Sequence, residues 1–110
     1  MTVNDILKSG CFKPAVLPDG DREITGVYIG DLLSWVMGRA SSGDAWITIM
    51  SNINVAAVAS LTDVACVILA EAVTMEADVL KTAEEKEINI VSSSLSAYDT
   101  AILLTELLNE

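Results

Sequence analysis

The chain has 110 residues, 52% of them apolar, and carries 16 Asp or Glu against six Lys or Arg, which gives a formal charge of −10. This length fits one domain spanning residues 1–110, and the absence of a basic cluster argues against nucleic acid or an anionic membrane surface as a partner. The longest apolar run, Val64 to Ala70, is too short to span a membrane.

The residues before position 20 predict a short helix followed by an extended segment. Val3 to Ser9 has the helical spacing of apolar residues, and Gly10 comes just past its end. FKPAVL (12–17) then predicts an extended segment. Because proline cannot donate a backbone hydrogen bond, Pro14 confines this segment to the edge of a sheet.

From residue 27 onwards the chain repeats a pattern of strand, short loop and helix four times. VYI (27–29) is the first predicted strand, and Asp31 is predicted to cap the helix that follows it. The apolar residues predicted to share one face of that helix are Leu32, Leu33, Val36 and Met37.

The other three units lie between residues 45 and 108. Their predicted strands are AWITIM (45–50), VACVIL (64–69) and INIV (88–91). Their predicted helices are VAAVASL (55–61), MEADVLKTAEEKE (75–87) and AYDTAILLTELL (97–108). Asn54 is predicted to cap the first of these helices, and Glu76 and Asp78 lie in the positively polarised first turn of the second. Ser96 and Asp99 have the spacing of a capping box at the start of the third.

Strands that alternate with helices indicate βαβ units with right-handed crossovers. VACVIL contains no polar residue, as expected for a strand that is covered on both faces. We therefore predict an α/β fold with three α/β/α layers around a central, mainly parallel sheet of about four strands. The high apolar content also predicts an oligomer interface.

The stretch DREITGVYIGD (21–31) places two glycines beside a strand, which raises the question of a phosphate-binding loop. Gly26 and Gly30 have the spacing of neither a P-loop nor a dinucleotide fingerprint. We predict instead a turn at Gly26 and a strand exit at Gly30. Asp21 and Arg22 precede the strand and are predicted to form a turn and ion-pair device rather than a catalytic pair.

The sequence lacks the side chains on which most catalytic motifs depend. It has no histidine, which removes the commonest general base and the imidazole metal ligands. Cys11 and Cys66 are too far apart in sequence for a CxxC zinc site, and Cys66 is predicted to be buried. Because no secretion signal is recognisable, we expect a soluble, cytoplasmic protein with reduced thiols. We predict that it is not an enzyme and has no cofactor or metal.

Polar residues that follow the predicted strands form a candidate binding site. In an open parallel sheet, ligands bind beyond the carboxyl ends of the strands, where the strand order switches. A small anionic or polar ligand is therefore predicted to contact this rim, which consists of Asp31, Ser51, Asn52, Asn54, Glu71, Ser92, Ser93 and Ser94. Serine and asparagine are also common caps and turn formers, so a purely structural role stays open. A further alternative is a metal-assisted hydrolase built on Asp31, Glu71 and Asp99.

Three stretches together resemble the DRTGG-domain family, which is related to the N-terminal domain of HPr kinase/phosphorylase. They are DREITGVYIGDLLSWVMG (21–38), AWITIMSNINVAAVASLTDVACVIL (45–69) and INIVSSSLSAYDTAILL (88–104). The resemblance identifies the chain as a stand-alone member and implies an α/β/α fold with a central parallel sheet. It places the family's glycine pair near Ala70 and Glu71, where this chain has no glycine. A serine-kinase label is not supported, because the P-loop catalytic domain that it requires is missing.

Two functions follow from these patterns and from the resemblance. The first is a non-catalytic regulatory or ligand-sensing module that acts through protein–protein contacts as a homodimer. The second is a small-ligand or nucleotide-binding domain in which Asp31, Asn52, Asn54 and Ser93 contact the ligand.

Overall fold

Five strands form one sheet in the order β1-β5-β4-β3-β2. The computed structural model describes residues 1–110, and its strands are β1 (Lys13–Val16), β2 (Gly26–Ile29), β3 (Asp44–Thr48), β4 (Cys66–Leu69) and β5 (Ile90–Ser92). β2 to β5 are parallel to one another, whereas β1 runs antiparallel to β5. The predicted mainly parallel sheet is thus confirmed, and the segment around Pro14 is its antiparallel edge strand.

Helices cover both faces of the sheet, which confirms the three α/β/α layers. They are α1 (Val3–Leu7), α2 (Leu33–Arg39), α3 (Asn54–Thr62), α4 (Ala77–Glu85) and α5 (Ala97–Leu108). On one face α2, α3 and α4 bury apolar side chains, among them Val36 and Val79, against the sheet residue Trp46. On the other face Ile6 of α1 and Leu104 of α5 are fully buried. None of the five helices combines the length and the hydrophobicity that a membrane span requires.

The interior strands β3 and β4 are buried on both faces, because helices lie above and below them. Every residue of β3 and β4 is buried. Trp46 is fully buried, and its Nε1 donates a hydrogen bond of 2.9 Å to the backbone oxygen of Gly30. Cys66 is fully buried, as predicted. Burial of each large apolar side chain contributes about 1.5–3 kcal/mol, so this double-sided core is the main source of stability.

The predicted cap of α2 is wrong. The helix begins after Leu32, and no side chain caps it. The Asp31 carboxylate instead accepts hydrogen bonds from the hydroxyl of Thr48, at 2.8 Å, and from the backbone N–H of Ile49, at 3.0 Å. Asp31 therefore joins the end of β2 to the end of β3, because the neighbouring strand offers donors that the sequence order does not reveal.

The predicted cap of α3 is also wrong, whereas the predicted first turn of α4 is right for Asp78 and the predicted cap of α5 is right for Ser96. Asn54 is the first residue of α3, and its N–H donates to the side chain of Asn52 at 2.9 Å. Asp78 lies in the first turn of α4, and Glu76 is its N-cap residue. Ser96 caps α5 by accepting a hydrogen bond from the backbone N–H of residue 99 at 3.0 Å.

Only part of the predicted apolar face of α2 is buried. Val36 is fully buried, and Leu33 packs against the same core. Leu32 and Met37 are exposed. The prediction fails for these two residues because α2 lies at the end of the sheet, where no further strand or helix covers its outer side.

Candidate functional site

The connections that follow β4 and β5 leave the sheet on opposite faces. After β4 the chain passes to α4, whose Val79 and Ala83 belong to one core, and after β5 it passes to α5, whose Leu104 belongs to the other. The connections after β2 and β3 lead to helices on the α4 face. In an open α/β sheet, ligands bind at such a switch, beyond the carboxyl ends of the strands. The ends of β4 and β5 are thus the place where this fold forms a binding crevice.

A cleft of about 440 Å³ lies at this switch, and we call it the first cleft. Its volume falls within the range of about 300–1,000 Å³ that small-molecule sites occupy. It is lined by Gly10, Cys11, Lys13, Ala72, Thr74, Ser92, Ser93, Ser94 and Leu95. Three of the predicted ligand contacts thus line this cleft, namely Ser92, the last residue of β5, and Ser93 and Ser94 directly after it.

One wall of the first cleft comes from the N-terminal part of the chain. Lys13 begins β1 and pairs with Ser92 in the antiparallel ladder. Gly10 has a left-handed backbone (φ +81°), which lets the chain turn from α1 towards β1, and Phe12 is buried in the core. Sequence reasoning missed this wall, because the pairing that forms it joins residues 79 positions apart.

The three serines play different parts in the opposite wall. Ser93 is buried, and its hydroxyl is hydrogen-bonded to that of Thr100 at 2.9 Å while it accepts the N–H of Leu95 at 3.1 Å. Ser92 is half-buried and Ser94 is exposed. Ser93 therefore fixes the loop onto α5, and the hydroxyls of Ser92 and Ser94 are the more accessible to a ligand.

A strained turn ties the loop after β4 to the loop after β5. Glu71 and Ala72 both have left-handed backbones, with φ of 59° and 58°. The N–H of Glu71 donates to the carbonyl of Leu95 at 2.8 Å, and that of Ala72 donates to the carbonyl of Ser93 at 2.9 Å. Because both N–H groups are used in this way, the turn is not an anion-binding nest. The family resemblance places the glycine pair near Ala70 and Glu71, whereas the left-handed backbones, which favour glycine, are those of Glu71 and Ala72.

Lys13 gives the first cleft a positive charge. It is the only charged residue in the lining. The three ion pairs of the chain join the N-terminus to Glu23, Lys8 to Asp5, and Arg22 to Asp63, so Lys13 takes part in none of them. The first cleft is therefore a concave, acid-free site with one unpaired cation.

A second cleft collects another part of the predicted rim. It has a volume of about 690 Å³ and is lined by Ser51, Asn52, Ile53, Thr74, Met75, Glu76 and Val79. It shares Thr74 with the first cleft. The only charged residue in its lining is Glu76. The second cleft is therefore negatively charged, unlike the first cleft, and does not favour an anion.

The remaining rim residues line neither cleft. Asp31 is bonded to Thr48 and Ile49, Asn54 opens α3, and Glu71 belongs to the strained turn. Their role as ligand contacts stays a prediction. A metal-assisted hydrolase on Asp31, Glu71 and Asp99 has no geometric basis, because no three Asp, Glu or Cys side chains come together as a metal site.

The glycines of TGVYIGD do not cradle a phosphate. Gly26 is the first residue of β2 rather than a turn, and a Cβ there would lie 2.5 Å from the Asp44 carboxylate, so the position demands close approach. Gly30 follows β2 directly, as predicted, and its N–H donates to the carbonyl of Ile47 at 3.2 Å. This N–H is therefore not available to a ligand.

At the other end of the sheet Arg22 forms an ion pair with Asp63, so the predicted ion-pair role holds for Arg22 but not for Asp21. The two guanidinium nitrogens lie 3.0 and 3.1 Å from the two carboxylate oxygens of Asp63. This hydrogen bonding, together with that from Ser42, lowers the pKa of the Asp63 carboxyl. Asp21 instead accepts a hydrogen bond from Asn4 at 3.0 Å. The Arg22–Asp63 ion pair thus holds the loop before β2 against the loop before β4.

The two cysteines have different environments. Burial raises the pKa of the Cys66 thiol to about 12, so that this thiol stays protonated and unreactive at neutral pH. Cys11 is exposed and lines the first cleft. Both thiols are free.

The chain is similar to one family of domains and, in its fold, to a solved regulatory region. The family model described as DRTGG domain matches residues 20–107. The solved structure contains the CBS and DRTGG domains of the regulatory region of Clostridium perfringens pyrophosphatase, complexed with the activator diadenosine tetraphosphate. The TM-score is 0.76 at 13% sequence identity, and the match covers 96% of this chain and 46% of that chain. This likeness concerns the fold. No curated protein matches the chain.

Proposed function

The chain belongs to the DRTGG domain family, and from that premise we propose that it is a non-catalytic regulatory module that senses a small anionic ligand. In this proposal the ligand binds in the first cleft, beside Lys13 and the serines at and after the end of β5. The bound state is passed on through protein contacts, with the chain acting as a homodimer in the cytoplasm.

The unpaired charge of Lys13 is the observation that carries the proposal. The chain has a formal charge of −10, yet its crevice at the strand switch is lined by one lysine and no acid. A cation in a concave site focuses the local field and favours anions. The hydroxyls of Ser94 and Thr74 supply hydrogen-bond donors around it, whereas that of Ser92 donates to the backbone oxygen of Lys13 at 3.4 Å.

The position of α5 supports the same class of ligand. The loop that lines the first cleft leads directly into α5, which begins at Ala97 after its N-cap, Ser96. The amino end of a helix carries a partial positive charge and unpaired N–H groups. Leu95, the last residue of the lining, lies two positions before Ala97, so an anion in the first cleft is on the side of the positively polarised end of this 12-residue helix, where Asp99 offsets part of that polarity.

The chemistry of the lining supports a role in binding rather than catalysis. The first cleft contains no carboxylate and no imidazole that could activate the serine hydroxyls or the Cys11 thiol. A general base beside the nucleophile is what a hydrolase or transferase of this kind requires. We therefore propose that the ligand leaves the site unchanged.

Nucleotides are the ligand class that the comparison favours. The Clostridium perfringens regulatory region, which shares this fold, is complexed with diadenosine tetraphosphate as its activator. The phosphate groups of this nucleotide are the kind of anion that one lysine and several hydroxyls bind. The proposal that this chain is a nucleotide-binding domain is thus the more specific form of the same function.

A calorimetric screen of adenine nucleotides and phosphorylated metabolites tests the proposal. We expect heat of binding at concentrations below the millimolar range for the wild-type chain and about a tenfold loss of affinity, worth about 1.4 kcal/mol, for Lys13→Met. Lys81→Met is the matched control, because Lys81 is an exposed lysine of α4 outside both clefts. No heat from any compound, or turnover of one of them that depends on the rim residues, contradicts the proposal.

A further inference from the structure

The two edges of the sheet differ in how well they are protected against pairing with another strand. β1 carries Lys13 and Pro14, and its register shifts between Pro14 and Val16. Lysine, proline and bulges are the devices by which natural sheets block association at an edge. β2 (Gly26–Ile29) lies at the other edge, contains no lysine or proline, and pairs with β3 in unbroken parallel register. The free side of β2 is therefore open to a further strand.

Exposed apolar side chains flank this open edge on both faces of the sheet. Ile29 is 48% exposed and Ile49 is 46% exposed. Ile29 is the ladder partner of Ile47, which is buried on the α5 face, so Ile29 points to that face. Ile49 follows the end of β3, the neighbour of β2 in the sheet. On the other face Leu32 and Trp35 of the α2 region are 58% and 53% exposed.

Four of the ten large apolar side chains that the chain exposes lie in the short segment that contains the end of β2 and α2: Ile29, Leu32, Trp35 and Met37. Trp35 also has the Arg39 guanidinium 3.8 Å from its ring centroid, in a cation–π contact. Tryptophan and arginine are the residue types that dominate the binding energy at the centre of protein interfaces. The edge therefore has the composition of an interface rather than of a solvated surface.

The distribution of charge identifies the occupant. Residues 24–43, which contain β2 and α2, carry only Asp31 and Arg39 as charged residues and are neutral. Residues 56–110 hold ten acids and two bases, a charge of −8. Two copies related by a twofold axis present the same surface to each other, so only a neutral surface of this acidic chain can meet itself without repulsion. A basic partner would be drawn to the acidic half instead.

We propose that β2 pairs antiparallel with β2 of a second copy about a twofold axis, which gives one sheet of ten strands, five from each copy. Ile29 and Trp35 of each copy pack against the partner on the two faces of that sheet. The inference rests on the proposed role through protein contacts, but it does not depend on a ligand. The first cleft lies towards the β1 edge, so it stays open in each copy of the dimer.

Molar mass in solution tests this interface. Light scattering after size exclusion is expected to give twice 11.7 kDa for the wild-type chain. Ile29→Glu and Trp35→Glu each place like charges at the twofold interface, and we expect each to raise the dissociation constant of the dimer about tenfold or more. Leu61→Glu is the matched control, since Leu61 is 72% exposed on α3, outside the edge, and this variant is expected to remain dimeric.

Far-ultraviolet circular dichroism and the thermal midpoint show whether each variant is folded. A wild-type chain that is monomeric at about 1 mM overturns the proposal, because mass action favours any dimer at that concentration. A dimer that both acidic variants leave intact overturns it too. Binding of adenine nucleotides, measured by calorimetry on Trp35→Glu, separates the two claims, since a monomeric variant that still binds them supports the interface and leaves the ligand site standing.

Discussion

Arg22 and Asp63 form a bidentate ion pair that joins two loops 41 residues apart at the amino ends of the strands. The guanidinium also donates to the backbone oxygen of Asp63 at 2.9 Å. Asp63 itself has a left-handed backbone (φ 59°) after the last residue of α3. The arginine therefore holds a strained helix end in place, which accounts for its position before β2 without any catalytic role.

Replacing Arg22 is expected to destabilise the fold. Arg22→Ala removes three hydrogen bonds to Asp63, two of them charge-assisted with its carboxylate, and we expect the free energy of unfolding to fall by about 1–2 kcal/mol. Denaturation by urea measures this change. Lys8→Ala is the control, because the exposed Lys8–Asp5 pair at 3.5 Å is expected to contribute little. Equal stability of the two variants would contradict the assignment.

The same pair predicts a dependence of stability on pH. Hydrogen bonding by Arg22 lowers the pKa of Asp63 in the folded chain below the value of about 4 that it has when unfolded. The stability that the pair contributes is therefore complete above that unfolded value and is lost as the pH falls through the folded pKa. We expect the difference in unfolding free energy between the wild-type chain and Asp63→Asn to be largest near neutral pH and to shrink below pH of about 4. A difference that is constant from neutral pH down to the acid limit is the contrary result.

The strained turn after β4 is expected to become more stable when glycine replaces alanine. A left-handed backbone costs an L-residue about 1–2 kcal/mol, and glycine avoids this cost. Glycine also gives the unfolded chain more conformational entropy, which reduces the gain in stability by about 0.5–1 kcal/mol. Ala72→Gly should therefore raise the free energy of unfolding by up to about 1 kcal/mol. Ala57→Gly, the same change at an exposed position inside α3, should lower it by about 1 kcal/mol. Urea denaturation in which both variants lose stability equally would show that Ala72 is not strained.

Asp31 offers a test between a structural and a ligand-binding role. Asp31→Ala leaves the buried hydroxyl of Thr48 without its acceptor, and we expect a loss of about 1–2 kcal/mol of stability. Asp31→Asn keeps an acceptor oxygen and should recover part of that loss. Thermal unfolding and nucleotide calorimetry are measured on both variants. Unchanged stability together with lost binding would establish Asp31 as a ligand contact instead.

The layers, the helices and most strands could be predicted because they depend on local apolar patterns, such as the unbroken run VACVIL and the helical spacing of apolar residues over 97–108. Only one wall of the first cleft, that of the serines, could be predicted from the sequence. Ser92, Ser93 and Ser94 follow a strand visibly, but Lys13 reaches them through an antiparallel pairing that no local pattern reveals. The cap assigned to Asp31 failed for the same reason, since its donors lie on β3.

The strained turn at Glu71 and Ala72 could not be predicted from the sequence either. Glu71 and Ala72 adopt backbones that glycine prefers, yet neither is glycine, so no turn signal marks them. Their conformation is imposed by the hydrogen bonds to Leu95 and Ser93, which form only when β4 and β5 are paired. Local propensity is overruled here by tertiary structure.

The reactivity of Cys11 is the most direct test of the proposed ligand site. Cys11 lines the first cleft with Lys13, whereas the buried Cys66 thiol, whose pKa is raised to about 12, does not react in the folded chain. The rate of modification by N-ethylmaleimide, an uncharged reagent, is measured with and without ATP or pyrophosphate. We predict that at least one of these anions slows the reaction of the wild-type chain and that Lys13→Met abolishes the protection while Lys81→Met retains it. An unchanged rate with both anions, or protection that survives Lys13→Met in full, would contradict the account.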